Sequence, residues 1–297
     1  MATSARYRVF VEERFPPGAY LPLICAFTAA GYVPSIAWSG TPFQPLRFIA
    51  AAVVVGLVFL HLRLVDEVKD AEVDRVGRPT RPLPRGLVTE RELTVGAIGA
   101  LLAALATGLS LGDEALLALL PATTFVLLAD VEFLAPRRVH RDLLVYALAH
   151  SMVVPSLMAF AWFADSAAGP SLVLAGLVIL AWGVGLGLEF SRKTYGPDEE
   201  RAFVETYSSA FGRARAGWLV AGSLAIGMVG GAFYAGLAGG GPALALAAVI
   251  ASGLILGAGA GLARANHRTV QGLGTLIGLA VLLWPIGIAT LLGGPVR

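Results

Sequence analysis

Charge is scarce in this chain. Asp, Glu, Lys and Arg together supply 14% of its 297 residues, against about 25% in soluble domains, which excludes an ordinary soluble globular protein. Cysteine is nearly absent: Cys25 stands alone, so neither an internal disulfide nor a cysteine-based metal site is available. A net charge of +2 leaves no basic excess to hold a nucleic acid. Low-complexity stretches and long linkers are also missing. Glu12 and Glu13 stand just ahead of the first apolar run, and no small-residue cleavage site is present, so no signal peptide is expected.

What the chain has is apolar length. It is 57% hydrophobic, and a membrane-spanning helix needs about 20 mostly apolar residues. Nine stretches qualify: 18–38, 47–66, 93–111, 115–134, 142–164, 171–190, 214–236, 242–262 and 270–292. The expected fold is all-α, one polytopic membrane domain over 1–297 with about nine transmembrane helices. With the N-terminus cytoplasmic, segments 1–17, 63–92, 135–141, 189–215 and 264–268 carry 3, 7, 3, 5 and 2 Lys or Arg, 20 of the chain's 22. Arg47 and Arg297 fall on the other side. This is the positive-inside pattern. Two inside connections, 67–92 and 190–213, are the longest and hold most of the polar residues. Long loops between packed helices are functional or disordered, so the working site is expected at the cytoplasmic face. Gly253, Gly257 and Gly261 repeat every fourth residue, the pattern of close helix packing. Gly183, Gly185 and Gly187 read the same way, with a thinned wall beside a substrate as the alternative.

The second stretch runs into RLVDEVKDAEVDRVGRPTRPLPRG, residues 63–86. If the helix continues, each residue turns by about 100°. With Asp66 at zero, Asp70 falls near about 40°, Arg63 near about 60°, Asp74 near about 80° and Glu67 near about 100°. Four carboxylates and one arginine therefore share a face. Like charges four apart destabilise a helix unless neutralised, and one arginine does not balance four acids. A solvated helix end is one account of the stripe. A hard divalent cation is the other: Mg2+ takes oxygen ligands, is held by one or two carboxylates, and completes its shell with water and phosphate. No histidine or cysteine accompanies the acids, which argues against zinc. The sixth stretch ends in LEFSRKTYGPDEE, residues 188–200. Glu189 and Lys193 lie four apart with Arg192 beside them, and Asp198 follows a Gly-Pro break. That grouping suits a metal-bridged diphosphate; a simple Glu–Lys helix pair, worth about 0.2–0.5 kcal/mol, is the alternative.

DEVKDAEVD at 66–74, followed by RPTRPLPRG at 78–86, resembles the first signature of the UbiA superfamily of intramembrane prenyltransferases, N-D-x-x-D-x-x-x-D and then R-P-[LI]-x-x-G. Asp70, Asp74, Arg81, Pro82 and Gly86 match; Asp66 and Glu67 replace Asn and Asp and keep an oxygen ligand. EFSRKTYGPDEE and VETYSSAFG, within 189–212, resemble the second signature, N-x-x-R-D-x-x-x-D and then G-x-x-T/S…G. Arg192 and Gly212 match, and Thr206 or Ser208 fills the hydroxyl position. Glu189 stands in place of the Asn, Lys193 in place of an Asp ligand, and Asp198 is offset by one residue.

The resemblance implies helices around a central cavity, a Mg2+–diphosphate site under cytoplasmic loops, and a lateral opening to lipid for the isoprenyl tail. It implies metal ligands among Asp66, Glu67, Asp70 and Asp74, with Glu189 and Asp198 at a second site partly replaced by the Lys193 ammonium. Catalysis is expected from Asp66, Asp70, Asp74, Glu189 and Lys193, and diphosphate binding from Arg63, Lys69, Arg81, Arg192 and Lys193. Partners are an isoprenyl diphosphate, a lipophilic acceptor and the bilayer. Tyr146 and His150, on one face of the fifth stretch, and Asp130 and Glu132, near the inner end of the fourth, are candidates to meet the acceptor, since intramembrane ionisable groups are functional candidates; satisfaction by a neighbouring helix is the alternative. The expected reaction is ionisation of the diphosphate and prenyl transfer. The alternative is a membrane terpene cyclase, which uses the same ionisation without an acceptor. Charge gathered at one membrane face, with no polar chain across the spans, argues against a transporter, and the aligned carboxylates argue against a scaffold.

Overall fold

The structure, a computed structural model, describes residues 3–131, 143–165, 167–200, 204–262 and 264–292. In chain order its helices are α1 (Thr3–Arg14), α2 (Pro17–Ser39), α3 (Pro45–Lys69), α4 (Ala71–Gly77), α5 (Glu90–Ser110), α6 (Asp113–Asp130), α7 (Leu143–His150), α8 (Val153–Phe163), α9 (Leu172–Arg192), α10 (Tyr207–Phe211), α11 (Arg213–Leu237), α12 (Gly241–Leu262) and α13 (His267–Leu292). Among the described residues there is no strand. Helix occupies the described part of each of the nine expected stretches. Seven of these, counting Leu143–Phe163 as one, are long and apolar enough to cross a membrane; α6 and α12 lie in the other two stretches. Large apolar side chains stay on the outside, among them Leu46 at 82% exposure and Leu291 at 76%. In water so much exposed apolar surface marks an interaction face; on this molecule it is the surface for lipid.

Glycine sets the closest helix contact. A methyl on Gly176 of α9 would come within 2.7 Å of the Tyr234 amide nitrogen on α11, and one on Gly183 would overlap the Gly227 backbone. The packing expected of the α9 glycines is present. The expectation for Gly253, Gly257 and Gly261 is not met: all three are exposed, with nothing within 4 Å of an added methyl. Their face of α12 turns outward instead of against a neighbour.

Two local features shape the polar end. The fifth stretch breaks between α7 and α8 because Pro155 has no amide hydrogen to give the Ser151 carbonyl; the Val154 amide takes that carbonyl at 3.0 Å and tightens the turn. His150 is therefore the last residue of α7. At the other site of interest, α3 passes into α4 almost without leaving the helix. The Asp70 amide donates to the Asp66 carbonyl at 2.9 Å, and the Asp74 amide donates to the Asp70 carbonyl at 2.8 Å. Helix α1 lies against this end, with Phe10 buried beside Leu64, Val88 and Leu93.

Candidate active site

The ends of α3 and α9, the inner face of α7 and the start of α13 surround a cavity of about 640 Å³. Helix α3 contributes Arg63, Asp66 and Lys69, and the segment after it Asp70, Arg78 and Arg81. Helix α7 contributes Tyr146 and His150, and α9 contributes Glu189, Arg192 and Lys193. Tyr195, Glu205 and Thr206 of the following loop, with His267 and Gln271 of α13, complete the lining.

The acidic stripe divides once folded. Asp66 and Asp70 line the cavity. Asp70 keeps 56% of its side-chain exposure, and its nearest cation, Arg81, is 3.9 Å away. Burial within the cavity mouth, then the neighbouring Asp66 and Asp74 carboxylates, push the Asp70 carboxyl above its ordinary value. Glu67 faces away from the cavity. It is 2% exposed, accepts from Arg14 Nε at 2.7 Å, and has Arg63 at 3.9 Å. Asp74 is 1% exposed and pairs with Arg81 and, at 3.4 Å, with Arg78. Three guanidiniums crowd this corner: burial, then Arg14 and Arg78, lower the Arg81 pKa. An anion there gains more than it would beside an isolated arginine.

At the end of α9, Glu189 acts as a hub. Its Oε2 accepts from Arg192 at 2.6 and 3.2 Å, while Oε1 has Lys193 Nζ at 3.1 Å and accepts from the Tyr207 hydroxyl at 3.3 Å. Burial, then the Glu189 carboxylate, pushes the Tyr207 phenol up, so it remains a donor. Lys69 and Lys193 flank the Tyr146 ring at 6.0 and 5.5 Å from its centre, within cation–π range, and Lys69 also donates to the Ala129 carbonyl at 2.9 Å. Tyr146 stacks on His150, with centres 5.5 Å apart. The His150 Nδ1 is buried without a partner among the described residues.

The structure thus brings Asp66, Asp70, Arg63, Lys69, Arg81, Glu189, Arg192, Lys193, Tyr146 and His150 to one cavity. It sets others elsewhere. Asp130 pairs with His61 at 3.0 Å, and the other nitrogen of that buried ring bonds the Ala97 carbonyl at 2.8 Å. Asp198 is exposed on the 3₁₀ turn Pro197–Glu199 and does not line the cavity. Glu132 lies outside the described residues. Tyr195, Arg78 and His267 line the cavity without having been singled out in the sequence; the only cue to His267 is its place at the start of an apolar helix. Among the described residues, no three His, Cys, Asp or Glu side chains are grouped to hold a metal by themselves.

Apolar spans closed at one end by a cation-rich cavity define a membrane protein able to hold an anionic head beside a lipophilic tail. The model of the UbiA prenyltransferase family matches residues 23–273, and the chain belongs to that family. A digeranylgeranylglyceryl phosphate synthase of Metallosphaera sedula is 41% identical over 69 residues, 23% of this chain and 22% of that protein, so the match spans under a quarter of the relative. The fold is similar to a solved structure of digeranylgeranylglyceryl phosphate synthase in membranes, with a TM-score of 0.64, 16% identity, and coverage of 98% of this chain and 100% of that one. It is also similar to a UbiA homolog from Archaeoglobus fulgidus bound to DMAPP and Mg2+, with a TM-score of 0.57, 14% identity, and coverage of 95% and 99%.

Proposed function

We propose that this chain is a Mg2+-dependent intramembrane prenyltransferase that ionises an isoprenyl diphosphate and transfers the prenyl group to a lipophilic acceptor. The observation that carries this reading is the meeting of Asp66 and Asp70 with Arg63, Lys69, Arg81, Arg192 and Lys193 in one cavity at the end of apolar helices. Family membership supports the reaction, and the Archaeoglobus neighbour supports the cofactor. The donor set fits the metal. Asp66 and Asp70 offer hard oxygens, and the raised Asp70 carboxyl is a group whose ionisation a nearby cation favours. Two carboxylates suffice, because Mg2+ keeps water and substrate phosphate in its remaining positions.

When bound, Mg2+ supplies positive charge to the leaving diphosphate. The protein's own cations do the same from fixed positions. Arg81 and Lys69 on the α3 side, with Arg63, and Arg192 and Lys193 on the α9 side, face the oxygens on which charge develops as the allylic C–O bond breaks. Glu189 holds Arg192 and Lys193 in place, and Asp74 holds Arg81 and Arg78. The prenyl chain lies among the apolar spans, where exclusion of water protects the cation until the acceptor captures it. The Lys and Arg distribution supports a cytoplasmic N-terminus and cavity. We read the described elements as one domain.

The test is diphosphate release from farnesyl and geranylgeranyl diphosphate by purified protein, with and without Mg2+, with the organic products identified by mass spectrometry. Mg2+-dependent release coupled to a prenylated acceptor is the expected result. Release that yields a hydrocarbon or terpene alcohol with no acceptor present moves the reading to a terpene cyclase. No release removes both.

A further inference from the structure

The cavity has two unlike walls. Its Lys and Arg side chains come from α3, the segment after it and the end of α9. The wall formed by residues 194–200 and 204–206 and by α13 presents Tyr195, Val204, Glu205, Thr206, His267 and Gln271, with no Lys or Arg among its described lining residues. An anionic diphosphate is drawn to the first wall, which leaves the second for the other reactant.

On that second wall His267 is held from three sides. Its backbone amide donates to Glu199 at 2.9 Å, its Nδ1 is 2.7 Å from the Thr194 carbonyl oxygen, and its ring stacks on Tyr195 with centres 4.0 Å apart and planes 5° from parallel. Glu199 also accepts from the Gly196 amide at 2.7 Å, tying the loop to the start of α13. A carbonyl oxygen only accepts, so Nδ1 carries the hydrogen. That leaves Nε2 as the nitrogen that carries the lone pair of the free base, and among the described residues no group bonds it. Among the described residues, the charged groups around it are Glu199 on its amide, Glu205 on the same wall, Arg213, which donates to the Ala265 carbonyl, and the exposed Arg268.

We infer that His267 is the base that takes the proton of the acceptor's nucleophile, for an acceptor that reacts through a hydroxyl. This rests on the prenyltransferase reading. The C1–O bond of the isoprenyl diphosphate breaks with its electron pair going to the diphosphate. An oxygen lone pair of the acceptor forms the new bond to C1, and the hydroxyl proton passes to Nε2. The imidazolium then returns the proton to water. His267 is fixed by backbone groups and a stacked ring, the arrangement a general base needs to keep one tautomer and one direction.

The experiment uses the full chain in lipid nanodiscs with geranylgeranyl diphosphate, Mg2+, and 4-hydroxybenzoate and monoolein as hydroxyl probes. His267→Asn keeps a donor at the Nδ1 position for the Thr194 carbonyl and removes the base. The expected result is a fall in prenylated product of roughly 10²–10⁴-fold, loss of the acid limb of the pH–rate profile, and continued diphosphate release that now yields prenyl alcohol. Transfer at the wild-type rate, or transfer and release falling together, overturns the assignment. So does wild-type release that yields only hydrocarbon with either probe. A second measurement labels the rings of the chain's four histidines with 15N; His267 is assigned by the signal lost in His267→Asn. A protonated Nδ1 with a bare Nε2 is expected, and the reverse tautomer overturns the proposal. Wild-type protein that releases no diphosphate fails the prenyltransferase reading itself, and the tautomer then decides His267 separately.

Discussion

Replacing Glu189 by Gln separates a brace from a metal ligand. The carboxylate has Arg192 at 2.6 Å and Lys193 at 3.1 Å. At an effective dielectric of about 20, each attraction is about 5–6 kcal/mol before desolvation is charged against it. Removing one member of a buried pair costs about 3–5 kcal/mol. Arg192 keeps 49% of its exposure and is screened accordingly, so about 2–3 kcal/mol is the expected loss. The assay is the thermal midpoint in detergent, with and without inorganic diphosphate. Glu189→Gln lowers the midpoint, and diphosphate raises it more than in wild type, because the anion now neutralises two cations that have lost their shared partner. The Mg2+ concentration that half-saturates diphosphate release stays where it was. An unchanged midpoint, with a Mg2+ requirement raised about tenfold, equivalent to about 1.4 kcal/mol, would refute this reasoning and make Glu189 a ligand.

Asp70→Asn should reduce Mg2+-dependent release by about 10²-fold or more and leave the protein monodisperse on size exclusion, since the side chain is 56% exposed and has no close ion pair; chelation with EDTA should stop wild-type release, and added Mg2+ should restore it. Glu67→Gln should cost about 1–3 kcal/mol of stability, because it strips the charge partner from Arg14, without changing the metal requirement; a changed requirement on titration with Mg2+ would return Glu67 to the ligand set. Gly183→Leu should yield no folded protein, because α9 can no longer seat on α11, whereas Gly257→Leu should express and elute as wild type, its position being open. Fluorescence-detected size exclusion of the two variants side by side checks both.

The spans and the cation-rich end were legible because each depends on something local: apolar length, and charge at the end of it. Asp66 and Asp70 followed from helical spacing, which survives the short break at Asp70. Glu67 and Asp74 share that spacing but are claimed by Arg14, Arg78 and Arg81, and the first of these comes from a helix more than fifty residues earlier. Asp130 was sought at the cavity and found on His61, 69 residues away. No local pattern encodes a choice among distant partners. His267 was invisible for a different reason. A lone histidine at the start of an apolar helix carries no periodic signal, and its direction is fixed by the Thr194 carbonyl and the Tyr195 ring, which belong to another loop.

The tie from Glu199 to the His267 amide also sets a timetable for synthesis. Glu199 leaves the ribosome 68 residues before its partner. At about 5–20 residues per second, that interval lasts roughly 3–14 s. During it Glu199 and the charges of α9 stand at the membrane without the helix that completes their enclosure. A nascent chain paused in this window has already inserted most of its spans, yet it exposes an unfinished charged mouth to whatever quality-control machinery surveys the translocon. Rare codons between positions 199 and 267 would lengthen that exposure without altering a single side chain.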